Sequence, residues 1–536
     1  MLLSRDVFLR GALILTIAGM AVKVIGAANR IFLSRLLGGE GIGLYQMAYP
    51  IYLLALNISY AGIPIAISIL IAERVALRDR AGVGRVFRLS LILMVITGLL
   101  FSALLYASAS WLIEIGFVQD PRAYWAIVAL APSIMFVTVL ASFRGYFQGL
   151  QMMFPSGISQ VAEQFFRVVS MVLFAWLLLP RGLEYAAAGA TFGALPGALA
   201  GILVLGYFFW KKPLDKILPA SEADHELPVP PIFTILKRIF WLALPVSLAS
   251  IMLPLGTLID LWIVPKRLLD AGGHTVQQAT ELYGYLTGMA IPLINLATIL
   301  TASLAASLVP SISEAFTLGK NDVIRNRVSM AVRISSLLTI PGFIGLAVLA
   351  GPISMLLYGT ADAGPAIGAM SFGVFLLGLH QITTAVLQGL GRTTIPVLNM
   401  VFAALCKIVF NWVFTGYWGI VGASWASVAD YGIAALLNIF FVYRFTGYGL
   451  AWSDVWRPLA ASLAMAATVI PTYYFSLGQL NSNSLATLVA IALGGIVYVV
   501  VILLTGGVRS QDIRKLPKIG NFMANRLENM KIVKKS

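Results

Sequence analysis

Apolar stretches long enough to cross a membrane follow one another along the chain. Each is near the roughly 20 residues that a helix needs to span about 30 Å of hydrocarbon. These stretches lack the alternation of polar and apolar residues that the strands of a β-barrel show, so they favour membrane helices over a barrel. The pattern predicts spans at 9–36, 42–71, 86–113, 123–149, 157–179, 185–210, 239–263, 282–310, 328–357, 366–390, 396–416, 418–443, 458–476 and 484–505. The predicted fold is an all-α integral membrane protein with about fourteen transmembrane helices.

Lysine and arginine alternate between scarce and abundant in the links between these spans. Of the 37 lysines and arginines, 28 lie in the even-to-odd links and at the two ends. Six lie in the odd-to-even links, and Lys23, Arg167 and Lys407 lie inside spans. Cytoplasmic loops carry the excess of positive charge in membrane proteins. The alternation therefore predicts a multi-pass protein of the plasma membrane with both termini in the cytoplasm.

The composition supports this class and excludes others. Hydrophobic residues make up 59% of the 536 residues and charged residues only 11%, which does not suit a water-soluble globule. The net charge of +15 is concentrated in loops beside the spans, where it faces anionic lipid headgroups rather than nucleic acid. The single cysteine, Cys406, lies inside a span and predicts neither a disulfide nor a metal site.

A polar, proline-containing segment at 211–238 divides the chain near its middle and is typical of a linker. It predicts an N-terminal six-helix lobe followed by a cytoplasmic linker and a C-terminal six-helix lobe. Two extra transmembrane helices and a basic cytoplasmic tail complete the chain. The predicted boundaries of these five parts are 1–210, 211–238, 239–443, 444–505 and 506–536.

Short matches between the two halves predict two pseudo-symmetric lobes. The tripeptide at 148–150 recurs at 388–390, and in both halves a basic residue follows the glutamine by nineteen residues, at Arg167 and Lys407. A proline and an arginine also recur at an offset of 242. Repeats of helical lobes are common among membrane transporters.

Charged side chains inside the predicted spans mark the candidate functional site. Each costs about 2.5–3.5 kcal/mol at a helix centre, so we expect them to face a cavity or one another. Glu163 and Arg167 form an i,i+4 pair on a polar stripe of the fifth span, and Lys23 and Arg30 share a face of the first. With Lys407 in the eleventh span, three helices offer cations, which favours an anionic ligand.

Simpler structural roles for these residues stay open. Glu163 and Arg167 could form a purely structural pair, and Arg30 and Arg35 could extend to lipid headgroups. Asp260 could pair with a cation at the outer end of its helix.

No catalytic constellation is recognisable in the sequence, and the loops are too short for a soluble catalytic domain. We expect a protein that is not an enzyme and that needs no metal or organic cofactor. His274 and His380 are predicted to be ordinary loop and interior residues.

Three segments, at 30–50, 144–155 and 253–314, carry a resemblance that extends over essentially the whole chain. They resemble the stage V sporulation protein B group of the multidrug/oligosaccharidyl-lipid/polysaccharide exporter superfamily, which is related to MurJ-type lipid II flippases. The resemblance implies a two-lobed transporter with a central cavity.

What the resemblance implies is a flippase that works by alternating access. It would move an undecaprenyl-pyrophosphate-linked sugar, such as the peptidoglycan precursor lipid II or a related polysaccharide unit, from the inner to the outer leaflet. A pyrophosphate carries about two negative charges, which cationic side chains can hold in a wet cavity. The expected partners are this substrate, membrane lipids and cell-wall synthesis proteins.

The buried charges and the resemblance together predict the site residues. The substrate-binding candidates are Lys23, Arg30, Arg35, Glu163, Arg167 and Lys407. Because some relatives bind sodium on helices 7, 11 and 12, Asp260, Asn411 and Asp430 are candidates for an ion site, with Na⁺ or H⁺ as the coupling ion. Lys407 precedes Asn411 by one turn, so its ammonium group could take the place of that cation.

Two other functions stay open. A multidrug/cation antiporter of the same superfamily should show an acidic rather than a cationic cavity in the N-terminal lobe. A cell-wall or sporulation scaffold would have no transport activity of its own. A membrane-embedded glycosyltransferase is disfavoured, because it would need a catalytic acid, usually on a sizeable outer loop.

Overall fold

The computed structural model describes residues 4–211, 214 and 231–507, and in these residues it is helical with no β-strand. Most of the predicted linker at 211–238 and the predicted tail beyond residue 507 lie outside the described residues. The helices fall into two compact units by their internal contacts. One unit runs to Leu269 and includes His274–Gly284, and the other comprises Asp270–Gly273 and the chain from Tyr285 onward.

The first unit contains nine described α-helices. They are α1 (Ser4–Tyr60), α2 (Ile63–Ala76), α3 (Arg80–Glu114), α4 (Tyr124–Gly149), α5 (Met153–Leu178), α6 (Leu183–Phe192), α7 (Ala194–Lys211), α8 (Ile232–Asp270) and α9 (Val276–Gly284). The sequence assigns most of α8 to the C-terminal lobe, but its contacts group it with the first unit. Its Arg238 pairs with Glu73 of α2 at 2.9 Å, and its Ser247 donates a hydrogen bond to the carbonyl of Ala61. The predicted lobe boundaries stay a prediction.

The second unit contains nine described α-helices as well. They are α10 (Ile291–Ala297), α11 (Ile299–Thr317), α12 (Asn321–Val348), α13 (Ala350–Tyr358), α14 (Gly364–Met370), α15 (Gly373–Gly389), α16 (Thr394–Thr446), α17 (Ser453–Leu480) and α18 (Asn483–Leu504). The span predicted at 282–310 is not a regular helix throughout, because a π-helical segment, Tyr285–Ala290, and a break at Thr298 interrupt it. Pro292 has no backbone N–H to continue the regular ladder, and a π segment absorbs such a shift in register.

The first helix turns back on itself at a glycine. The side chains of Arg30 and Gln46 share a hydrogen bond of 3.1 Å. Sixteen residues of straight helix would separate them by about 24 Å. Midway between them, Gly38 has a φ of 66° and a ψ of −173°, which a residue with a side chain rarely adopts. α1 is therefore a hairpin of two arms, as the predicted spans at 9–36 and 42–71 require.

α16 forms a second hairpin in the same way. Asn399 and Asn438 hydrogen-bond at 2.8 Å on either side of Gly419, whose φ is 56°. In the described chain, ten helices are long and apolar enough to cross a membrane, or eleven if the bent pair of α14 and α15 is one span. The prediction of an all-α, multi-pass membrane protein is confirmed.

Two turns repeat between the halves of the chain. After α4, Gln151 has a φ of 58° and donates its backbone N–H to the carbonyl three residues earlier. After α15, Gly391 does the same at a φ of 75°, at an offset of 240. Arg78 after α2 and Gly319 after α11 form a second matched pair, at φ values of 55° and 66° and an offset of 241. The sequence repeat thus corresponds to repeated backbone geometry at these turns.

Four glycines at four-residue spacing bring the helices of the sixth predicted span against α5. They are Gly189, Gly193, Gly197 and Gly201. A β-carbon at Gly197 would lie 2.7 Å from the β-carbon of Arg167 and 2.8 Å from the carbonyl oxygen of Glu163. Small residues at this spacing allow helix backbones to approach closely in a membrane. The glycine stripe therefore packs α7 directly on the charged part of α5.

Replacing Gly197 by alanine should destabilise the protein by about 1–3 kcal/mol, the usual cost of overpacking. Gly206→Ala on the same helix is the matched control, because beyond its own stretch of helix no described residue has an atom within 4 Å of the added β-carbon. The control should leave stability unchanged or slightly raise it, since alanine favours helix. Melting temperatures of the purified variants measure both effects. Equal values would contradict the close packing of α7 on α5.

Candidate functional site

Two arginines share one glutamate in the first unit. Glu163 of α5 accepts from Arg144 of α4 at 2.7 Å through Oε2, and from Arg167, one turn later on α5, through Oε1. The Nε of Arg144 also donates to the hydroxyl of Ser159 at 3.1 Å. The three charged side chains are between 13% and 19% exposed, so each depends on the others more than on solvent. The predicted pair of Glu163 and Arg167 exists, but one carboxylate here balances two guanidinium groups.

Sequence reasoning missed Arg144. The charge pattern counts it with the cytoplasmic link after the fourth span, whereas the structure places it within α4, facing α5. Arg144 lies inside the apolar run that ends at Gly149, and this position was the sequence signal for its burial. A glutamate on a neighbouring helix cannot be assigned to it from one sequence.

A ladder of tyrosines lies on the second arm of α1. The ring centroids of Tyr45 and Tyr49 are 5.5 Å apart, and those of Tyr49 and Tyr52 are 5.9 Å apart. The guanidinium group of Arg30 lies 5.7 Å and 5.8 Å from the first two ring centroids, within the range of a cation–π contact. It also donates to the amide oxygen of Gln46. Arg30 is therefore held against aromatic rings within the protein.

The same ladder lies near Arg167 of α5 within the first unit. The Nε of Arg167 and the hydroxyl of Tyr52 are buried and have no hydrogen-bond partner among the described residues. An unpaired buried polar group costs about 1–3 kcal/mol, which a ligand oxygen could recover. We call Arg30, Arg144, Glu163 and Arg167, with the tyrosine ladder, the basic cluster. Its three arginines and one glutamate give it a net charge of +2.

The other predicted substrate-binding residues lie apart from these contacts. Lys23 and Arg35 are exposed on the first arm of α1. Lys407 is 5% exposed on α16 and belongs to the second unit. The structure thus brings Arg30, Glu163 and Arg167 together within one unit. A substrate-binding role for these residues stays a prediction.

The predicted ion-binding residues are divided between the two units. Asp260 is 1% exposed on α8 in the first unit, whereas Asn411 and Asp430 belong to α16 in the second. Each of the three has at least one interaction partner. In the described part of the chain, no group of three or more His, Cys, Asp or Glu residues could hold a metal ion. The ion site stays a prediction.

Neutral hydrogen bonds connect several helices of the second unit. Asn399 donates to Asn438 at 2.8 Å, and Asn438 donates to the hydroxyl of Thr384 on α15 at 2.9 Å. One position after His380 on the same helix, Gln381 accepts from Thr301 of α11 at 2.7 Å. Thr384 occupies the position that the repeat offset of 240 assigns to the arginine of α4. The neutral interior of α15 thus contrasts with the charged interior of α4.

Sequence comparisons match the chain to proteins of known family. A family model described as "Polysaccharide biosynthesis protein" matches residues 8–316. The chain is 30% identical to stage V sporulation protein B of Bacillus subtilis (strain 168), over 97% of this chain and 100% of the relative. It is 27% identical to the lipid II flippase MurJ of the same organism, over 91% of this chain and 94% of the relative.

Solved transporter structures share the fold. A lipid II flippase MurJ in an inward closed conformation gives a TM-score of 0.68 at 16% identity, over 91% of this chain and 98% of that chain. An inward-facing multidrug resistance MATE family transporter of the MOP superfamily gives 0.67 at 18% identity, over 80% and 94%. These identities establish the fold alone. With a family model matching more than half of its length and a relative at 30% identity, the chain belongs to the polysaccharide biosynthesis protein family.

Proposed function

We propose that the protein is an alternating-access flippase for an undecaprenyl-pyrophosphate-linked sugar. It moves a lipid II-like peptidoglycan precursor, or a related polysaccharide unit, from the inner to the outer leaflet of the plasma membrane. The basic cluster is the observation that carries this proposal, because its net charge of +2 complements a diphosphate with about two negative charges. Such a headgroup cannot cross hydrocarbon unaided, since every charge at the centre of a bilayer is costly.

The cluster offers donors that a diphosphate can use. Glu163 engages one terminal nitrogen on each of Arg144 and Arg167, and the Nε of Arg167 has no partner in the described structure. Guanidinium groups bind phosphate oxygens through paired, charge-assisted hydrogen bonds. The buried hydroxyl of Tyr52, which has no hydrogen-bond partner among the described residues, is a further donor in the cluster. We infer that Glu163 holds the two arginines in place while the cluster is empty, and that the diphosphate supplies the balancing second anion.

The charge of the cluster separates this proposal from the rival antiporter function. An antiporter for amphipathic cations should offer an excess of carboxylates, whereas Glu163 is outnumbered by arginines in its immediate surroundings. We propose that the protein catalyses no covalent step, and that enzymes of cell-wall synthesis supply and consume its substrate.

We infer fourteen transmembrane helices from the helices that the structure describes. The eleven candidate spans become thirteen when the hairpins of α1 and α16 are each counted as two, and α8, with 39 residues, adds the fourteenth. We infer two six-helix lobes and two extra helices from this count together with the repeated turns. The excess of positive charge in the even-to-odd links supports cytoplasmic termini.

Cysteine labelling tests this topology. In a Cys406→Ser background, we expect Asp362→Cys to react with a membrane-impermeant maleimide in intact cells, because the link between α13 and α14 should face outward. Asn321→Cys, at the first residue of α12, should react only after the membrane is permeabilised. Both residues are exposed in the structure, so burial does not limit the reaction. The reverse labelling pattern would contradict the assignment.

Transport also requires a step that returns the empty protein to its inward-open state. We propose that a Na⁺ or H⁺ gradient or the membrane potential drives this step, with Asp260, Asn411 and Asp430 as the candidate ion-binding residues. Their burial or half-burial in an apolar protein supports such a role, because intramembrane carboxylates commonly mark ion pathways.

A double substitution separates substrate binding by Arg167 from simple pairing with Glu163. The wild-type protein should support the growth of cells depleted of their own lipid II flippase, and the Arg167→Gln variant should not. If Arg167 only neutralised Glu163, adding Glu163→Gln should restore growth, because the double substitution leaves the net charge of the cluster unchanged and removes both partners of one buried pair. Arg144 would keep the hydroxyl of Ser159 and the introduced amide oxygen as hydrogen-bond acceptors. We expect the double variant to remain inactive, since the diphosphate has still lost its ligand.

The growth assay has a direct control. Immunoblots of isolated membranes should show equal amounts of the wild-type protein and of both variants. Growth of the double variant at the wild-type rate would show that Arg167 is structural, and would remove the main support for the proposal.

A further inference from the structure

A small cavity lies within the second unit between α11 and α15. Its volume is about 260 Å³. α15 lines it with polar side chains, His380, Gln381, Thr384 and Gln388, and α11 lines it with alanines and a valine. The ring of His380 and the hydroxyl of Thr384 project from one face of α15, one turn apart, and Gln388 follows one turn later. The small residues of α11 leave the space that larger side chains would fill.

Neighbouring helices fix the polar groups of the cavity. Thr384 accepts a hydrogen bond from Asn438 at 2.9 Å, which leaves its own hydroxyl hydrogen to donate. Gln381 accepts from Thr301 at 2.7 Å through its carbonyl oxygen, which leaves its amide N–H groups to donate. The Nε2 of His380 is buried and has no hydrogen-bond partner in the described structure. Oriented polar groups with spare hydrogen-bonding capacity are what a ligand site requires.

The chemistry of the lining selects the kind of ligand. One imidazole, two amides and one hydroxyl line the cavity, and among the described residues no lysine, arginine, aspartate or glutamate lines it. Such a set pairs well with hydroxyl and amide groups and offers nothing to balance a diphosphate. Pockets for drug-sized molecules occupy about 300–1,000 Å³, so a cavity of about 260 Å³ suits one ring rather than a whole headgroup.

We propose that this cavity binds an uncharged sugar ring of the lipid-linked substrate. The inference rests on the proposed function and adds to it a second subsite, separate from the basic cluster of the first unit. The basic cluster would recognise the diphosphate by charge, and the cavity would recognise the sugar by neutral hydrogen bonds. Polar groups that would otherwise stay unpaired give such a site its selectivity, because a ligand without matching hydroxyl groups leaves them unsatisfied.

The experiment compares two lipids that differ only in the headgroup beyond the diphosphate. Lipid II carries sugars, whereas undecaprenyl pyrophosphate carries none. Equilibrium binding of each to the purified full-length protein in nanodiscs is measured by native mass spectrometry. His380→Leu should weaken lipid II binding about tenfold and leave undecaprenyl pyrophosphate binding unchanged. Its melting temperature should stay the same or rise, because the lost imidazole nitrogen has no partner in the described structure.

A second pair of variants keeps the test independent of His380. Ala306→Leu narrows the cavity from an exposed position on α11, and we expect the same selective loss of lipid II binding. Ser307→Leu is the matched control, because the neighbouring Ser307 is also exposed and does not line the cavity. The control should bind both lipids as the wild type does.

The possible outcomes are distinct. Equal losses for the two lipids, or a lowered melting temperature with normal selectivity, would show that these residues are structural and overturn the subsite. Equal affinity of the wild type for both lipids would also overturn the subsite, while leaving the proposed function intact. A wild type that binds neither lipid would overturn the proposed function and, with it, the subsite that rests on it.

Discussion

The shared carboxylate of Glu163 is the interaction on which the charged interior of the first unit depends. In an apolar environment, a guanidinium group without a partner is costly, and removing one partner of a buried pair typically costs about 3–5 kcal/mol. Glu163 links α4 to α5 by pairing with Arg144 and Arg167 at once. The glycine stripe then packs α7 on the same stretch of α5, where a side chain at Gly197 would collide with Arg167. Charge pairing and close backbone packing therefore fix the same few turns of helix.

The two halves of the chain share local helix packing but carry different polar side chains. Gly149 packs on Ile71 in the first unit, and Gly389 packs on Ile312 in the second, at offsets of 240 and 241. In these similarly packed helices, α4 carries Arg144, and α15 carries a threonine at the matching position. The first unit thus concentrates charge, and the second concentrates neutral hydrogen bonds. A lipid-linked sugar has both kinds of group, a diphosphate and hydroxyl-rich rings, so this difference agrees with the proposed substrate.

Much of the fold follows from the sequence, because hydrocarbon imposes a strong length and polarity pattern on helices. The hairpins of α1 and α16, the repeat and the pairing of Glu163 with Arg167 all follow from patterns within one segment or between halves. The features that the sequence analysis did not predict depend on tertiary packing. Arg144 lies close to a helix end, where burial cannot be read from local sequence. The interruption at Tyr285–Ala290 needs knowledge of how Pro292 is accommodated.

The candidate site shows the same division. The tyrosine spacing at Tyr45, Tyr49 and Tyr52 is visible in the sequence, but only the turn at Gly38 shows that these rings face Arg30. The polar face of α15 is likewise visible, yet the space opposite it comes from small residues on α11, about eighty positions earlier in the chain. Periodicity identifies which residues share a face, and tertiary packing decides what that face meets.

The most direct measurement is the movement of lipid II across the membrane of proteoliposomes that contain only this protein. Lipid II is loaded into the inner leaflet, and its arrival in the outer leaflet is followed with an impermeant reagent that modifies the exposed headgroup. We expect the protein to accelerate the appearance of lipid II without accelerating that of a phosphatidylcholine probe. Unchanged lipid II movement, or equal movement of both lipids, would contradict a flippase that recognises a diphosphate-linked sugar.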